Sequence, residues 1–440
     1  MLNRYDVIVA GGGPAGVAAG MASARCGART LVIDPNGYLG GYATNGSLPA
    51  LAPYTDKEKP LIRGIGLELL RALQEQCWYS DIYPRRNNPM GNMDWFPIDT
   101  ELLKRILDEK VVGSGCDVLL HTQAIGCVSG EGGIQSIRIF NQGGIQSLEA
   151  DVFIDCTGDA VLAAAAGCQV EMGDEVGDVQ SGTLCFKLAN FDDKRFVQYV
   201  RETGDGGNLL QACSRAMADG AFFPDETKVS GMTVPAPGTA CFNFGHVYGI
   251  NPLDAASITR AEMEARAKLP AMLEFLRKYV PGAENAALAG SGPTFGVRES
   301  RRVIGRYVLT REDYMRRADF DDAVVYFNYP IDVHNARRND AHREENDRVY
   351  KTQRYRTGEC YGVPYRCLTP LRVDNLLVAG RIISCDRYML GSVRVVPCCF
   401  ATGQAAGTAA AMAVRSGIAP AQLDAAALRR QLRQDGCYLR

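Results

Sequence analysis

The sequence predicts an α/β fold in which a central parallel sheet and a β-meander are built from both ends of the chain, with an α+β unit inserted between them. Three observations predict it. Residues 5–10 are a short apolar run rich in β-branched residues, and a helix of small residues opens behind Gly11, Gly13 and Gly16. A second buried run, 152–155, ends in Cys156-Thr157-Gly158-Asp159. A third, 375–380, ends in glycine and is followed by an Ala- and Gly-rich segment at 392–415. The stretch between the second and third runs has a different character.

The opening residues carry the strongest motif. Gly11, Gly13 and Gly16 have G-x-G-x-x-G spacing between a strand and a helix. Gly11 allows the tight turn, Gly13 lets a pyrophosphate approach the backbone, and Gly16 lets helix and sheet pack closely. The phosphates then sit at a helix N-terminus, where free N–H groups favour negative charge. Asp34 ends the next strand, 18 residues beyond Gly16, near the distance expected of an acid that binds a ribose. These residues bind a dinucleotide, and NAD would fit them as well as FAD. Residues 35–46 hold many glycines and asparagines and form a loop against the cofactor. Small residues at Gly40, Gly41 and Ala43 would let a flat ring come close.

Further along, helices are expected at 64–75 and 99–111, the latter capped by Asp99. Residues 77–95 read as irregular. A strand at 118–120 precedes a meander of 125–128, 134–140 and 147–150, and a helix follows at 160–166. In the inserted unit, strands are expected at 182–188, 239–247 and 324–329, and helices at 209–218, 259–279 and 312–318. Residues 336–355 are highly charged and read as a solvated connection. A C-terminal helix covers 421–434. The domain division is 1–180 with 366–440, and 181–365.

Composition excludes several classes. The net charge of −2 makes no case for nucleic acid. The run 405–414 is too short to span a bilayer, and no leader is visible before the first strand, so a cytoplasmic protein with no membrane partner is expected. The 15 cysteines are scattered, with no C-x-x-C pair and no spacing suited to zinc. They read as small hydrophobes, with the adjacent Cys398 and Cys399 as the one pair open to a redox role. No metal is expected.

The three nucleotide segments, taken with Leu39–Thr44, the run Gly296-Val297-Arg298-Glu299-Ser300-Arg301-Arg302, the run Tyr329-Pro330-Ile331-Asp332-Val333-His334, Val363-Pro364-Tyr365-Arg366 and Gly391-Ser392-Val393-Arg394, resemble the bacterial FAD-dependent oxidoreductase family of the fumarate reductase and glutathione reductase-like superfamily. The resemblance implies a discontinuous Rossmann-like FAD-binding domain with a substrate-capping domain. It implies non-covalent FAD, held at the pyrophosphate by Gly11, Gly13, Pro14, Ala15 and Gly16 and at the ribose by Asp34 and Pro35. It places Gly40, Gly41, Ala43 and Thr44 near the flavin, Ala124 near the adenine, and Thr157, Gly158 and Asp159 over the nucleotide. Gly380, Arg381, Ser392, Arg394, Val395 and Gln404 would hold the ribityl chain and ring. A helix starting within 392–396 would aim its N-terminus at the flavin and stabilise charge in the reduced ring.

No second G-x-G-x-x-G occurs between 150 and 370, and no paired redox cysteines lie near Gly40. The hydride is therefore expected from a small-molecule substrate or from an external electron donor or acceptor at the same face. Substrate contact and proton transfer fall to a short set of candidates. Arg298 with Arg301 and Arg302 is either a carboxylate clamp or a salt-bridged surface helix. His334 is a candidate acid/base or a structural histidine, and His246 and Tyr361 are further proton-transfer candidates. Tyr365, Arg366 and Arg394 contact substrate or brace the domain junction. The expected activity is hydride transfer between flavin N5 and a small polar, carboxylate-bearing metabolite. The alternatives are an electron-transfer subunit served by a partner protein and a flavin-binding scaffold with little turnover. A homodimer is the assembly carried forward.

Overall fold

The structure, a computed structural model, describes residues 4–78, 93–221, 223, 226, 228–338 and 343–440. Most of the segment expected to be irregular, 79–92, lies outside the described residues.

The main sheet is organised around the first strand, Arg4–Ala10. It pairs in parallel with Thr30–Ile33 on one side and with Gly144–Asp155 on the other. Asp117–Leu119 extends the sheet beyond Thr30–Ile33, and Leu376–Val378 joins Gly144–Asp155, both in parallel. The last strand of the meander, expected at 147–150, and the buried strand expected at 152–155 are one continuous strand, Gly144–Asp155. Gly144–Asp155 pairs antiparallel with Gly133–Asn141 through its first half and in parallel with Arg4–Ala10 through its second.

Period-2 alternation sends successive side chains of these strands into two cores. Val7, Val9, Val32, Val152, Ile154 and Leu377 face one core with the long helices. Ile8, Ala10, Leu31, Ile33, Phe153, Leu376 and Val378 face the other, under the meander. All of these residues are almost wholly buried, as a doubly covered parallel sheet requires.

Two helices from opposite ends of the chain cross on the first of these cores. Pro14–Arg25 follows the glycine turn, and Val396–Ser416 is the Ala- and Gly-rich segment. A Cβ on Gly403 would lie 2.0 Å from the Ala15 carbonyl oxygen, and one on Gly407 2.1 Å from that of Ala19. Only glycine permits this backbone contact. The expected packing of the segment on the sheet is therefore extended by direct packing on the first helix. The chain bends by 93° between Arg387–Val393 and Val396–Ser416, which frees the first turn of the second helix. Among the described residues no single helix is long and apolar enough to cross a membrane.

The inserted unit has its own core, drawn from residues 179–295. A four-stranded antiparallel sheet runs in the order Gly231–Ala236, Thr239–Asn243, Phe186–Ala189, Ala287–Ser291. Helix Ala255–Tyr279 covers it, with Phe186 stacked on Phe242 at 5.3 Å and Phe275 against Phe244. Residues 309–365 pack into the core of the nucleotide domain instead, including the strand pair Ala323–Phe327 and Tyr361–Pro364. The independent apolar core of the insert thus ends well before 365. Residues 343–352, expected to be part of a solvated connection, form a helix.

The glycine contact gives a direct test. Gly403→Val should lower stability by at least about 1–3 kcal/mol, because neither backbone can retreat without opening the core. Gly113→Ala, at a helix position with nothing within 4 Å, should leave the thermal midpoint unchanged or slightly raised. Equal midpoints for the two variants would remove the close contact from the argument.

Candidate active site

The parallel strands deliver their C-terminal ends to one cleft. Gly11, Asp34, Thr122, Cys156, Thr157, Ala379 and Gly380 all follow strand ends and all line it. That is where open α/β sheets bind ligands. The cleft has a volume of about 1460 Å³, above the roughly 300–1,000 Å³ of a pocket for one drug-sized ligand. It has room for a dinucleotide and a second small molecule.

Its nucleotide half is built from the glycine turn. Gly11 has φ +97°, and a Cβ there would lie 2.5 Å from the Cys156 carbonyl oxygen. A Cβ on Gly13 would meet nothing closer than 3.9 Å, so that position is open to the cleft. Helix Pro14–Arg25 starts here with no side-chain cap, leaving its first N–H groups for an anion. Asp34 Oδ2 accepts the Gly12 N–H at 2.7 Å, and Oδ1 accepts from the Asn36 backbone and amide at 2.8 and 2.9 Å. Burial raises the Asp34 carboxyl above its ordinary range, against these bonds that lower it. Pro35 and Ala124 line the same end. The helix Val396–Ser416 also begins at the cleft without a side-chain cap, and Val395 and Val396 line the wall. Two positive helix ends therefore face one space.

The turn after Asp155 is tied across the cleft. Thr157 Oγ1 donates to Asp155 Oδ1 at 2.7 Å, while Asp155 Oδ2 caps the short helix Val161–Ala165. Arg381 donates to the Gly158 carbonyl at 2.6 Å, pairs with Asp159 at 2.8 Å, and reaches the Val297 carbonyl. Its guanidinium joins the nucleotide wall to the inserted unit. Tyr42, at the end of the cofactor loop, does the same from the other side. Its hydroxyl lies 3.2 Å from both the Thr183 carbonyl and Cys185 Sγ.

The other half of the cleft holds the ionisable groups. Arg298 donates to the Ser181 carbonyl at 2.8 Å and to Thr183 Oγ1 at 3.1 Å. Arg394 donates to the Asp332 carbonyl at 2.7 Å and to Gln180 Oε1 at 2.9 Å. Burial and the neighbouring Arg298 lower Arg394 to about 10, so it stays charged at neutral pH. Burial would raise Asp332, but His334, Arg394 and Arg298 hold it well below the usual carboxylate range. His334 is pushed down to about 3, first by burial and then by Arg298. Its Nε2 lies 3.6 Å from Asp332 Oδ2, and its Nδ1 lies 2.9 Å from His246 Nε2. At neutral pH this is an ionised carboxylate between two guanidiniums, beside a neutral imidazole.

Several expected residues lie elsewhere. Tyr365 is buried and donates to the Pro420 carbonyl at 2.9 Å, away from the cleft. Arg366 pairs with Asp322 at 2.9 Å and is half exposed, so it braces a surface junction. Ser392 donates to the Tyr329 carbonyl at 2.6 Å and meets the Tyr361 hydroxyl at 2.7 Å, both inside the core. Gln404 accepts the Ile65 N–H at 2.8 Å and so caps helix Gly64–Gln76. Gly16, Gly40, Ala43 and Thr44 shape the loops behind the cleft without lining it. Gly16 abuts the Gly11 carbonyl, and Thr44 Oγ1 donates to the Leu39 carbonyl at 2.7 Å. Residues 298–301 are not helical, and the three guanidiniums diverge. Arg301 donates to the Asp159 carbonyl, and Arg302 pairs with the fully buried Glu299 at 2.6 Å.

Sequence reasoning missed the roof. Helix Arg343–Thr352 and the residues after it present Asn346, Asp347, Tyr350, Lys351 and Arg354 to the cleft. Their i, i+4 and i, i+3 spacing was the available signal. Lys228 and Arg354 both sit over the Tyr350 ring, at 5.7 and 4.5 Å from its centre. Glu226, which meets His246, had no signal in the surrounding sequence.

Sheet, glycine turn, acid and two uncapped helix ends together define a dinucleotide-binding protein. The open cradle at Gly13, the free helix ends and Asp34 suit the pyrophosphate and ribose of FAD. The chain belongs to the FAD dependent oxidoreductase family, whose profile matches residues 6–432, and FAD is its cofactor. It is 26% identical over 183 residues to a digeranylgeranylglycerophospholipid reductase of Methanoculleus marisnigri, covering 38% of this chain and 42% of that protein. It is 31% identical over 111 residues to a soluble pyridine nucleotide transhydrogenase of a Marinomonas species, covering 25% and 20%. The chain therefore matches less than half the length of these relatives. Among solved structures it resembles a geranylgeranyl bacteriochlorophyll reductase-like protein of Thermoplasma acidophilum, at 15% identity and a TM-score of 0.46, covering 98% of this chain and 82% of that one. It also resembles an anhydrotetracycline hydroxylase of Streptomyces rimosus, at 13% identity and a TM-score of 0.47, covering 98% and 66%.

Two outcomes check this site. Asp34→Ala should sharply weaken FAD retention, since it removes the acid expected at the ribose and the bond that holds the Gly12 N–H. A variant that purifies with full yellow colour would contradict the assignment. The second outcome concerns acid. The unfolded chain protonates His334 near pH 6.5 and the folded chain only near 3, so stability falls as pH drops through 6.5. His334→Asn should flatten that fall, read as denaturant midpoints at pH 7.5 and 4.5.

Proposed function

We propose that this enzyme exchanges a hydride between the flavin and a small carboxylate-bearing metabolite, with Arg298 engaging the carboxylate and His334 exchanging the proton. The observation that supports this reading is the convergence of Arg298, Arg394, Asp332 and His334 in the same cleft as both helix N-termini. The flavin, when bound, supplies the hydride-exchanging atom. The rest is the work of the chain's own groups. On the side of the insert and the roof, the cleft is lined by Lys228, Arg298, Lys351, Arg354 and Arg394 against Glu226, Asp332 and Asp347. That surplus draws an anion inward. Arg298 is held by Ser181 and Thr183 in one orientation, which suits a guanidinium that must meet a carboxylate as a fork. Ionised Asp332 lies close enough to His334 to stabilise the imidazolium formed when His334 takes a proton. Turnover also needs an external electron donor or acceptor at the same face.

Anaerobic mixing with a panel of hydroxy, amino and unsaturated carboxylic acids tests the reading. One member should bleach the flavin. His334→Asn should slow that reduction about 10²–10⁴-fold with FAD content unchanged, and Arg298→Met should mainly weaken substrate affinity. If no metabolite and no redox partner alters the flavin absorbance, the hydride-transfer assignment fails.

A further inference from the structure

Behind His334 the cleft wall carries a line of ionisable groups. Glu226 Oε1 lies 2.8 Å from His246 Nδ1, and His246 Nε2 lies 2.9 Å from His334 Nδ1. The same Glu226 oxygen accepts the backbone N–H of His246 at 2.7 Å and of Gly245 at 3.2 Å. The Glu226 and His246 side chains are only 8% and 10% exposed. The distances are those of hydrogen bonds throughout, so the protons can be assigned from the donors and acceptors available.

Glu226 is the fixed point. Burial would raise its pKa, but His246 and the two backbone N–H groups outweigh it and hold the carboxyl below its ordinary value. An ionised carboxylate only accepts, so Nδ1 of His246 carries a hydrogen. Taken with a single hydrogen, the one on Nδ1, this ring has a lone pair on Nε2. The hydrogen between the two imidazoles must therefore belong to Nδ1 of His334. That leaves Nε2 of His334 with a lone pair. On that side it faces Asp332 at 3.6 Å, with Arg298 and Arg394 nearby and the Tyr329 hydroxyl donating to Asp332 at 3.1 Å. The 3.6 Å separation is longer than a hydrogen bond, so no shared proton ties the lone pair to Asp332.

We propose that Glu226 and His246 are positioning residues that set the tautomer of His334, so that its Nε2 lone pair, rather than an N–H, faces the substrate. The proposal rests on His334 as the proton-exchanging group. It also gives the resting site a direction. A substrate C–H hydrogen would leave with its bonding electron pair as hydride to a bound oxidised flavin, while the proton on the adjacent oxygen, nitrogen or carbon would pass to His334 Nε2. The electron pair that proton leaves behind would form the new C=O, C=N or C=C bond, and a bound flavin would be reduced by two electrons in all. Of the groups around the imidazolium so formed, Asp332 offsets its charge while burial and Arg298 oppose it.

The chain has four histidines, so the tautomer can be read directly. The test is ¹⁵N NMR of FAD-loaded protein labelled at the histidine ring nitrogens, near pH 7.5 and without substrate, with His334 assigned by its loss in H334N. We expect His334 as a single form, protonated at Nδ1 and unprotonated at Nε2. Glu226→Gln keeps an oxygen acceptor and should preserve that form. Glu226→Leu removes the acceptor and should add a second population carrying the hydrogen on Nε2. A wild-type His334 with its hydrogen on Nε2 overturns the proposal whether or not the variants fold, and so does an unchanged single form in Glu226→Leu. Because the measurement uses the resting enzyme, its failure is separate from that of the hydride-transfer reading, which flavin bleaching in H334N decides.

Discussion

The contact on which the rest depends is one of backbone against backbone. Gly403 and Gly407 press onto the carbonyls of Ala15 and Ala19, from helices whose contacting residues lie some 388 positions apart in sequence. Side chains at those glycines would hold the helices apart. With them absent, the helices Pro14–Arg25 and Val396–Ser416 sit close enough for both N-termini to reach the same cleft. Each brings free N–H groups and the positive end of its dipole. The same closure sets Leu376–Val378 beside Gly144–Asp155, which places Gly380 opposite the glycine turn.

Around that frame the chemistry is divided between walls of different origin. The nucleotide wall uses main-chain groups and one acid, Asp34, whose carboxylate holds Gly12. The opposite wall uses charge. Asp332 stays ionised because Arg298 and Arg394 stand beside it, and His334 stays neutral because burial and Arg298 oppose a second positive charge. Tyr42 and Arg381 cross between the walls, so the two seats are held at a fixed spacing. Spacing of that kind is what the proposed hydride exchange would require, since it depends on placing two reacting atoms rather than on covalent help from the protein.

What could be read from the sequence was what is decided locally. The glycine turn, Asp34 and the alternating apolar strands follow from short-range stereochemistry, and they appear where their spacing put them. Helix Ala255–Tyr279 was anticipated within four residues at its start. Ser392 and Gln404 sit in the right segment, yet their side chains turn inward to the Tyr329 carbonyl and the Ile65 N–H. A linear motif does not reveal which face of a buried helix meets a neighbour. Tyr365 and Arg366 brace contacts with Pro420 and Asp322 and point away from the cleft, which their place in the sequence does not reveal. The roof helix was hidden by its own polarity, because a charged segment that lines a wet cleft has the composition of one that faces solvent. Glu226 acquires its meaning only by meeting His246, which no local pattern foretells.

The strand Gly144–Asp155 belongs to two kinds of pairing at once. Its first half is the last member of a meander whose strands are neighbours in sequence and close through short turns. Its second half lies in a parallel sheet between two strands from far apart in the chain, Arg4–Ala10 and Leu376–Val378. Local hairpins form in microseconds, while long-range parallel pairing must first close a large loop. A ladder already held in register on one half presents the other half as a template. The meander, which meets the cleft only at the start of its first strand, thus acts as a built-in jig: it converts the slow problem of aligning distant strands into docking onto an edge that is already straight.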